Sequence, residues 1–411
     1  MARNSLIHQS SNLNLHDGQY MNPTYQARAT FLSFSPPAIS EEEIAAVVDT
    51  LRSDWITTGP KTKQFETDFA DYIGAQSALA VNSCTGALHV ALAALGIGPG
   101  DEVITTPMTF CSSANVIEHV GATVVLADVE PDILTIDPAR IEAAITPRTK
   151  AILPVHYAGH PADMDPIMEI ARHHNLAVIE DAAHALPTFY KGKRIGTIGD
   201  FTAFSFYATK NLTTAEGGML TASPDNTARA RLWSLHGMSR DAWKRYTAEG
   251  SWFYEVVEPG FKYNMTDIQA AIGLVQLRRL ESLQARRREV VKLYNAAFSQ
   301  LDELQTPTER PDVESSWHLY VLRPYLDKLK IDRARFIEEL KARNIGSSVH
   351  FIPVHIHPFY RDKYGWKPQD FPIAFGEYQR EISLPLHPGL TDEDVADVIA
   401  AVTDIVKSNR S

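Results

Sequence analysis

Leu176-Ala177-Val178-Ile179-Glu180-Asp181-Ala182-Ala183-His184-Ala185 is the stretch on which the fold turns. Its first four residues read as a buried strand, apolar on both faces, and two carboxylates close it. A carboxylate at the end of a buried strand is costly unless it is paired or hydrogen-bonded. Outward from this stretch the same pattern repeats. Short apolar runs occupy residues 78–81, 103–106, 123–129, 151–155, 201–206 and 219–222. Helical patterns separate several of them, at 86–95, 113–119 and 138–145. Strands that are apolar throughout and alternate with helices predict a mostly parallel sheet covered on both faces, an α/β fold.

Further out, Ser40 and Glu43 form a capping-box pattern for a helix running to about residue 52. After Pro224 the chain becomes helical, with a long periodic stretch over 266–301. It carries Arg286, Arg287 and Arg288, which read as a solvated helix face. A second α/β unit follows, with strands expected at 319–322 and 347–351 and helices at 334–343 and 392–407. The expected organisation is a flexible extension over 1–30, a large domain over 31–285 and a smaller C-terminal α/β domain over 286–411.

Composition narrows the function. The chain is 44% hydrophobic and 22% charged, ordinary values for a globular protein. No apolar run approaches the roughly 20 residues that cross a bilayer, and the polar first 30 residues lack the apolar region of a secretory signal. A net charge of −11 argues against a nucleic-acid surface. Cys84 and Cys111 are too few for a disulfide framework, so a cytoplasmic location is expected. No metal-ligand spacing stands out, and no metal site is expected.

Ligands of open parallel sheets gather at the carboxyl ends of the strands, and four strand ends carry unusual residues. Asn82-Ser83-Cys84-Thr85-Gly86-Ala87 joins a strand to a helix. Its small residues and free amides suit an anion such as phosphate, although an ordinary capped turn has the same composition. Pro107-Met108-Thr109-Phe110 offers an aromatic that could stack on a flat ring or simply pack as a core or lid residue. Asp181 could face a protonated pyridine nitrogen, a pairing worth roughly 4 kcal/mol at about 4 Å and an effective dielectric of about 20, before desolvation. It could equally cap a helix or pair with an arginine. Finally, Lys210 ends the apolar run 201–206 among small and hydroxyl residues. If desolvated, its amine becomes a nucleophile towards carbonyls; if solvated, it is an ordinary surface lysine. In combination the four supply a phosphate anchor, ring stacking, a charge for a ring nitrogen and a Schiff-base amine. Pyridoxal 5′-phosphate is the cofactor that uses all four.

On these residues the chain resembles the DegT/DnrJ/StrS family of sugar aminotransferases. Trp55-Ile56-Thr57-Thr58-Gly59-Pro60, Pro154-Val155-His156-Tyr157-Ala158-Gly159, residues 180–185, residues 205–218 and Gly260-Phe261-Lys262-Tyr263-Asn264-Met265-Thr266-Asp267 carry the resemblance. It extends from about residue 32 to the last helix. It implies the aspartate-aminotransferase (fold type I) architecture, pyridoxal phosphate as cofactor and a homodimer with shared active sites. It also implies transfer of an amino group from L-glutamate to a keto-sugar nucleotide. Within the family the chain is most similar to enzymes that aminate the 4-keto carbon of UDP-linked pentoses, those forming UDP-4-amino-4-deoxy-L-arabinose.

The resemblance assigns roles by position. Lys210 would form the Schiff base and shuttle protons. Asp181 would face the ring nitrogen, His184 the ring hydroxyl, and Phe110 would cover the ring. Thr85, Gly86 and Ser205 would hold the phosphate, joined by Asn264 from the partner subunit. Thr57, Thr58, Gly59 and His350 would lie beside the sugar nucleotide. Phe110 and Tyr207 stand where the closest relatives carry Trp and His, which bears on the identity of the sugar. A pyridoxamine-dependent sugar dehydratase and a non-catalytic sugar-sensing regulator are the alternatives. The dehydratases of the family replace the lysine, commonly by His.

Overall fold

The computed structural model describes residues 27–238 and 253–411; the first 26 residues of the expected extension lie outside them. In chain order the first elements are α1 (Glu41–Leu51), α2 (Pro60–Ile73), β1 (Ser77–Val81), α3 (Cys84–Ala94), β2 (Glu102–Thr105), α4 (Ser112–His119) and β3 (Thr123–Leu126). Then come α5 (Pro138–Ala144), β4 (Thr149–Ile152), α6 (Met164–His174), β5 (Ala177–Asp181), β6 (Phe189–Tyr190), β7 (Lys193–Arg194), β8 (Phe201–Ser205), β9 (Gly218–Ala222) and α7 (Pro224–Ser234). The C-terminal part holds α8 (Asp267–Phe298), β10 (Leu304–Gln305), β11 (Val313–Glu314), β12 (Tyr320–Pro324) and α9 (Arg333–Ala342). It closes with α10 (Pro358–Tyr364), α11 (Pro372–Tyr378), β13 (Ile382–Leu384) and α12 (Asp392–Ser408).

The central sheet has seven strands in the order β1-β9-β8-β5-β4-β2-β3. All strands share one direction except β9, which pairs antiparallel with both β1 and β8. The expected mostly parallel sheet is therefore present. Its alternation sorts side chains into two cores: Leu79 and Val81 join the cluster beneath α3 and α4, while Ala78 and Ala80 join the one that includes α2 and α6. The carboxyl ends of β1, β2, β4, β5 and β8 all open on one edge, and β9 starts there.

A third core gathers Leu32, residues of α8 from Val290 onward, β12, β13, α9 and α12. It surrounds the three-stranded sheet β10-β12-β13. The expected division after residue 285 falls inside α8. Arg28, within the expected flexible extension, is tied down by ion pairs to Asp394 at 2.8 Å and Asp397 at 2.5 Å.

Two expectations need correction. Residues 347–351 form no strand; only Ser348 bridges Ser383, and β13 pairs with β12 instead. Pro353 cuts the run short, and His350 and Phe351 turn towards a cavity rather than a sheet face. The arginine cluster is not a solvated face either. Arg287 is 3% exposed and donates to the Leu386 carbonyl at 2.7 Å. Burial without a carboxylate partner pushes its guanidinium down to about 10. Arg286 donates to the Leu390 carbonyl and to Asp392, and Arg288 pairs with Glu314 at the surface. Because Arg287 fills a buried slot and satisfies a buried carbonyl, Arg287→Ala is expected to cost about 2–3 kcal/mol in denaturant unfolding. Arg288→Ala should cost under about 1 kcal/mol.

Candidate active site

The edge where the strands end encloses a cavity of about 520 Å³. Ser83, Cys84 and Thr85 approach from the turn after β1, Thr109 and Phe110 from the turn after β2, and Asp181, Ala183 and His184 from the end of β5. Ser205 ends β8 and Tyr207 and Lys210 follow it, Glu216 and Gly217 precede β9, and His318, His350 and Phe351 come from the C-terminal part.

The α3 turn is built for an anion. The Ser83 hydroxyl accepts the Gly86 amide at 3.0 Å. That leaves the Cys84 and Thr85 amides with no acceptor among the described residues, at the positive end of an 11-residue helix. Gly218 allows the turn to sit here: a Cβ at that position would come within 2.5 Å of the Ser83 backbone.

Asp181 is 4% exposed. Among the described residues it caps no helix and pairs with no arginine. Ser113 donates to it at 2.7 Å, the Ala183 amide at 3.1 Å, and the Cys84 thiol lies at 3.8 Å. Glu180, one residue earlier, points to the other face of the sheet. It accepts from the Gly199 amide at 2.8 Å, Thr202 Oγ1 at 2.7 Å and His156 Nε2 at 3.0 Å. His156 Nδ1 accepts the Ala162 amide at 3.1 Å, so the proton is on Nε2 and the imidazole is neutral.

Lys210 keeps some surface open to the cavity, yet burial pushes its ammonium down to about 8, against the opposing pull of Cys84 and Asp181. Burial and then Lys210 push His184 well below its ordinary value. His184 Nδ1 accepts the Ala158 amide at 3.2 Å, which makes it the Nε2–H tautomer. Its ring stacks on Phe351 and lies 4.4 Å, centroid to centroid, from His318. His350 is held near 4 by burial and Lys210. The cavity thus offers an amine with a lowered pKa, the buried Asp181 carboxylate, the exposed Glu216 carboxylate at its edge, neutral imidazoles and free helix amides.

Of the residues named from the sequence, Thr85, Phe110, Asp181, His184, Ser205, Lys210 and His350 line this cavity. Phe110 is 59% exposed at its mouth. Gly86 lies behind the turn, its amide already used by Ser83. Thr57, Thr58, Gly59 and Asn264 form a separate cluster in the single chain. Asn264 donates to Thr58 Oγ1 at 2.6 Å, Thr57 accepts the Asp267 amide at 2.9 Å, and the Asp267 carboxylate caps α2 through the Gly59, Lys61 and Thr62 amides. Sequence reasoning missed Ser113, His318 and Asn211. His318 Nδ1 donates to Asn211 Oδ1 at 3.1 Å, and Asn211 follows Lys210 directly. The motif Ser315-Ser316-Trp317-His318, a buried histidine just before a strand, was the available signal.

The profile of the DegT/DnrJ/EryC1/StrS aminotransferase family matches residues 37–403. The chain belongs to that family. It is 56% identical over 384 residues to the spore coat polysaccharide biosynthesis protein SpsC of Bacillus subtilis, covering 93% of this chain and 99% of SpsC. Spr1654 of Streptococcus pneumoniae, solved in a PLP form and a PMP form, superposes with TM-scores of 0.85 and 0.86 at 39% and 40% identity. It covers 92% of this chain and 99% of its own. Helicobacter pylori PseC, an aminotransferase involved in the biosynthesis of pseudoaminic acid, gives a TM-score of 0.85 at 29% identity over 92% of this chain and all of PseC. The fold is that of the fold type I pyridoxal-phosphate enzymes. The chain is a pyridoxal-phosphate-dependent aminotransferase, and the free amides of α3, the buried Asp181 and the depressed Lys210 amine fit that cofactor's phosphate, ring nitrogen and aldehyde.

The lysine is testable without turnover. Below about pH 8 its ammonium form dominates, and above that pH the neutral amine does. In cofactor-free protein, Lys210 should react with trinitrobenzenesulfonate with a midpoint about 8, and Lys210→Ala should remove that phase. A midpoint near the ordinary 10.5 would show a solvated amine.

Proposed function

We propose that this chain transfers an amino group from L-glutamate to a keto-sugar nucleotide, with a UDP-linked 4-keto sugar as acceptor. The observation that carries this reading is one cavity joining the Lys210 amine, the Asp181 carboxylate and the open α3 amides. The names of the relatives, which point to polysaccharide and pseudoaminic acid biosynthesis, support a sugar acceptor. The presence of Lys210 favours amino transfer over the dehydratase and regulator readings.

Bound pyridoxal phosphate supplies the carbonyl that takes up the amino group and a ring that withdraws electrons. In this reading Thr85 and Ser205 would hold its phosphate, together with the Cys84 and Thr85 amides, while Gly86, its amide given to Ser83, would shape the turn behind them. Asp181, fixed by Ser113 and the Ala183 amide, keeps the ring nitrogen protonated. His184 donates from Nε2 to the ring hydroxyl, and Phe110 closes the mouth. Lys210 takes a proton from the donor's α-carbon and returns one to the sugar carbon; an amine near pH 8 suits both directions. His350 and the segment Thr57-Thr58-Gly59 receive the sugar nucleotide. The enzyme works in the cytoplasm as a homodimer in which Asn264 reaches the partner's phosphate site.

The deciding experiment offers L-glutamate with a panel of 4-keto and 3-keto nucleotide sugars and identifies products by mass. Formation of a 4-amino UDP-sugar is expected; turnover of simple 2-oxo acids alone would overturn the reading. Asp181→Asn should retain the fold by circular dichroism and lose turnover by orders of magnitude, since an amide cannot hold the ring nitrogen protonated. Near-normal turnover would leave Asp181 only a structural role.

Subunit sharing has its own test. If Asn264→Ala and Lys210→Ala are each inactive, mixed dimers should recover up to half of wild-type activity after subunit exchange. One site then combines both intact residues. No recovery despite proven exchange would place Asn264 in its own chain's site.

A further inference from the structure

The motif Pro154-Val155-His156-Tyr157-Ala158-Gly159 supplies no group lining the active-site cavity beyond Val155, yet its turn touches two of the three histidines there, His184 and His350. The Ala158 amide fixes His184 Nδ1, and the Tyr157 hydroxyl contacts the His350 carbonyl. The same hydroxyl lies 2.9 Å from Glu381 Oε2. Tyr157 is 2% exposed and Glu381 is fully buried, immediately before β13. Ser383, two residues on, bonds His350 Nδ1 at 2.8 Å. One short segment therefore reaches His350 directly at its ring and, through Tyr157, at its carbonyl.

Hydrogen-bond counting decides the protonation. A tyrosine hydroxyl carries one proton, and the His350 carbonyl can only accept. If Tyr157 donates to His350, the Glu381 contact is a hydrogen bond only when Glu381 donates. We propose that Glu381 is a positioning residue that, as the protonated acid, donates to Tyr157 and so directs the Tyr157 proton onto the His350 carbonyl. Its consequence for sugar binding rests on the role given to His350 above.

The surroundings agree. Around Glu381 stand Tyr157, Arg323 of β12, Arg333 of α9 and Glu377 of α11. Neither arginine forms an ion pair with it among the described residues: Arg323 is engaged by the Pro131 and Asp132 carbonyls and Glu377, and Arg333 lies over Tyr378. Among the described residues Glu381 Oε1 has no hydrogen-bond partner, a costly state for an ionised carboxylate. Burial raises its carboxyl well above the ordinary range against the opposing pull of the Tyr157 contact, Arg333 and Arg323, with Glu377 adding to the rise. The sign follows from linkage: the stabilisation from the neutral acid is complete below 4.5 and is lost as pH rises through the raised value. Ionisation would draw the Tyr157 proton to Glu381 and leave the His350 carbonyl unpaired.

Two readouts on the holoenzyme need no substrate. Infrared difference spectra between wild type and Glu381→Gln should show a protonated carboxyl stretch at pH 7 that vanishes at alkaline pH. The ¹⁵N-histidine signal of His350, assigned with His350→Gln, should move with the same alkaline midpoint. Glu381→Gln, whose amide can donate to Tyr157, should hold that signal at the neutral-pH position, whereas Glu381→Ala and Tyr157→Phe should displace it at every pH. A carboxyl already ionised at pH 7, or a His350 signal indifferent to Glu381 and Tyr157, overturns the proposal whatever the substrate. Once an acceptor is in hand, Tyr157→Phe should raise its KM roughly tenfold, the equivalent of one hydrogen bond, with the amino-donor half-reaction unchanged. An unchanged acceptor KM beside a displaced His350 signal would count against His350's place at the sugar, not against the relay.

Discussion

Two adjacent carboxylates buried at the end of one strand impose the constraint around which this site is arranged. Successive residues of a strand face opposite ways, so Glu180 and Asp181 each need donors on their own side of the sheet. Glu180 draws in Gly199, Thr202 and His156, and His156 is in turn fixed by the Ala162 amide. That anchoring places the next residues, Tyr157 and Ala158, against His350 and His184 of the cavity. Asp181 draws in Ser113 and the Ala183 amide, and is left facing the cavity. One carboxylate thus serves the architecture and its neighbour the chemistry, through strand geometry alone.

The cavity's electrostatics follow from burial. Lys210, His184, His318 and His350 are all pushed towards their neutral forms, chiefly by desolvation. Asp181 is the buried acid set among them. With Lys210 the one Lys or Arg lining the cavity among the described residues, the α3 amides can accept a doubly charged phosphate without a competing cluster of cations.

What the sequence made legible was whatever sits at a strand end. Thr85, Phe110, Asp181, Ser205 and Lys210 follow β1, β2, β5 and β8, and strand ends of one parallel sheet share an edge. The helix start at Ser40 was visible too, because a capping box is local, and the start near Thr266 showed in the periodic stretch that it opens. Contacts between distant segments were not. Tyr157 and Glu381 lie 224 positions apart, and His318 meets Asn211 across 107. No periodicity announces such pairs. Arg287 misled because a basic run on a helix looks solvated, while only the packing of the segment 385–390 against α8 reveals the buried carbonyl it serves. The antiparallel β9 was hidden for a related reason: a buried strand is apolar whichever way it runs.

The 32-residue helix α8 is about 48 Å long. At its start Asp267 caps α2 through three backbone amides, and in its first half Gln276 and Arg279 hold Glu43 of α1. Its far half is embedded in the C-terminal core, with Arg287 bolted to the Leu386 carbonyl. It behaves as a strut rather than a hinge. The first turn of α2 has no side-chain cap of its own, so its amides cannot exchange with solvent independently of α8. Native-state hydrogen exchange is therefore expected to show α8 and the start of α2 opening as a single cooperative unit, with the segment Thr57-Thr58-Gly59 held through Met265 and Asp267 at the start of that helix.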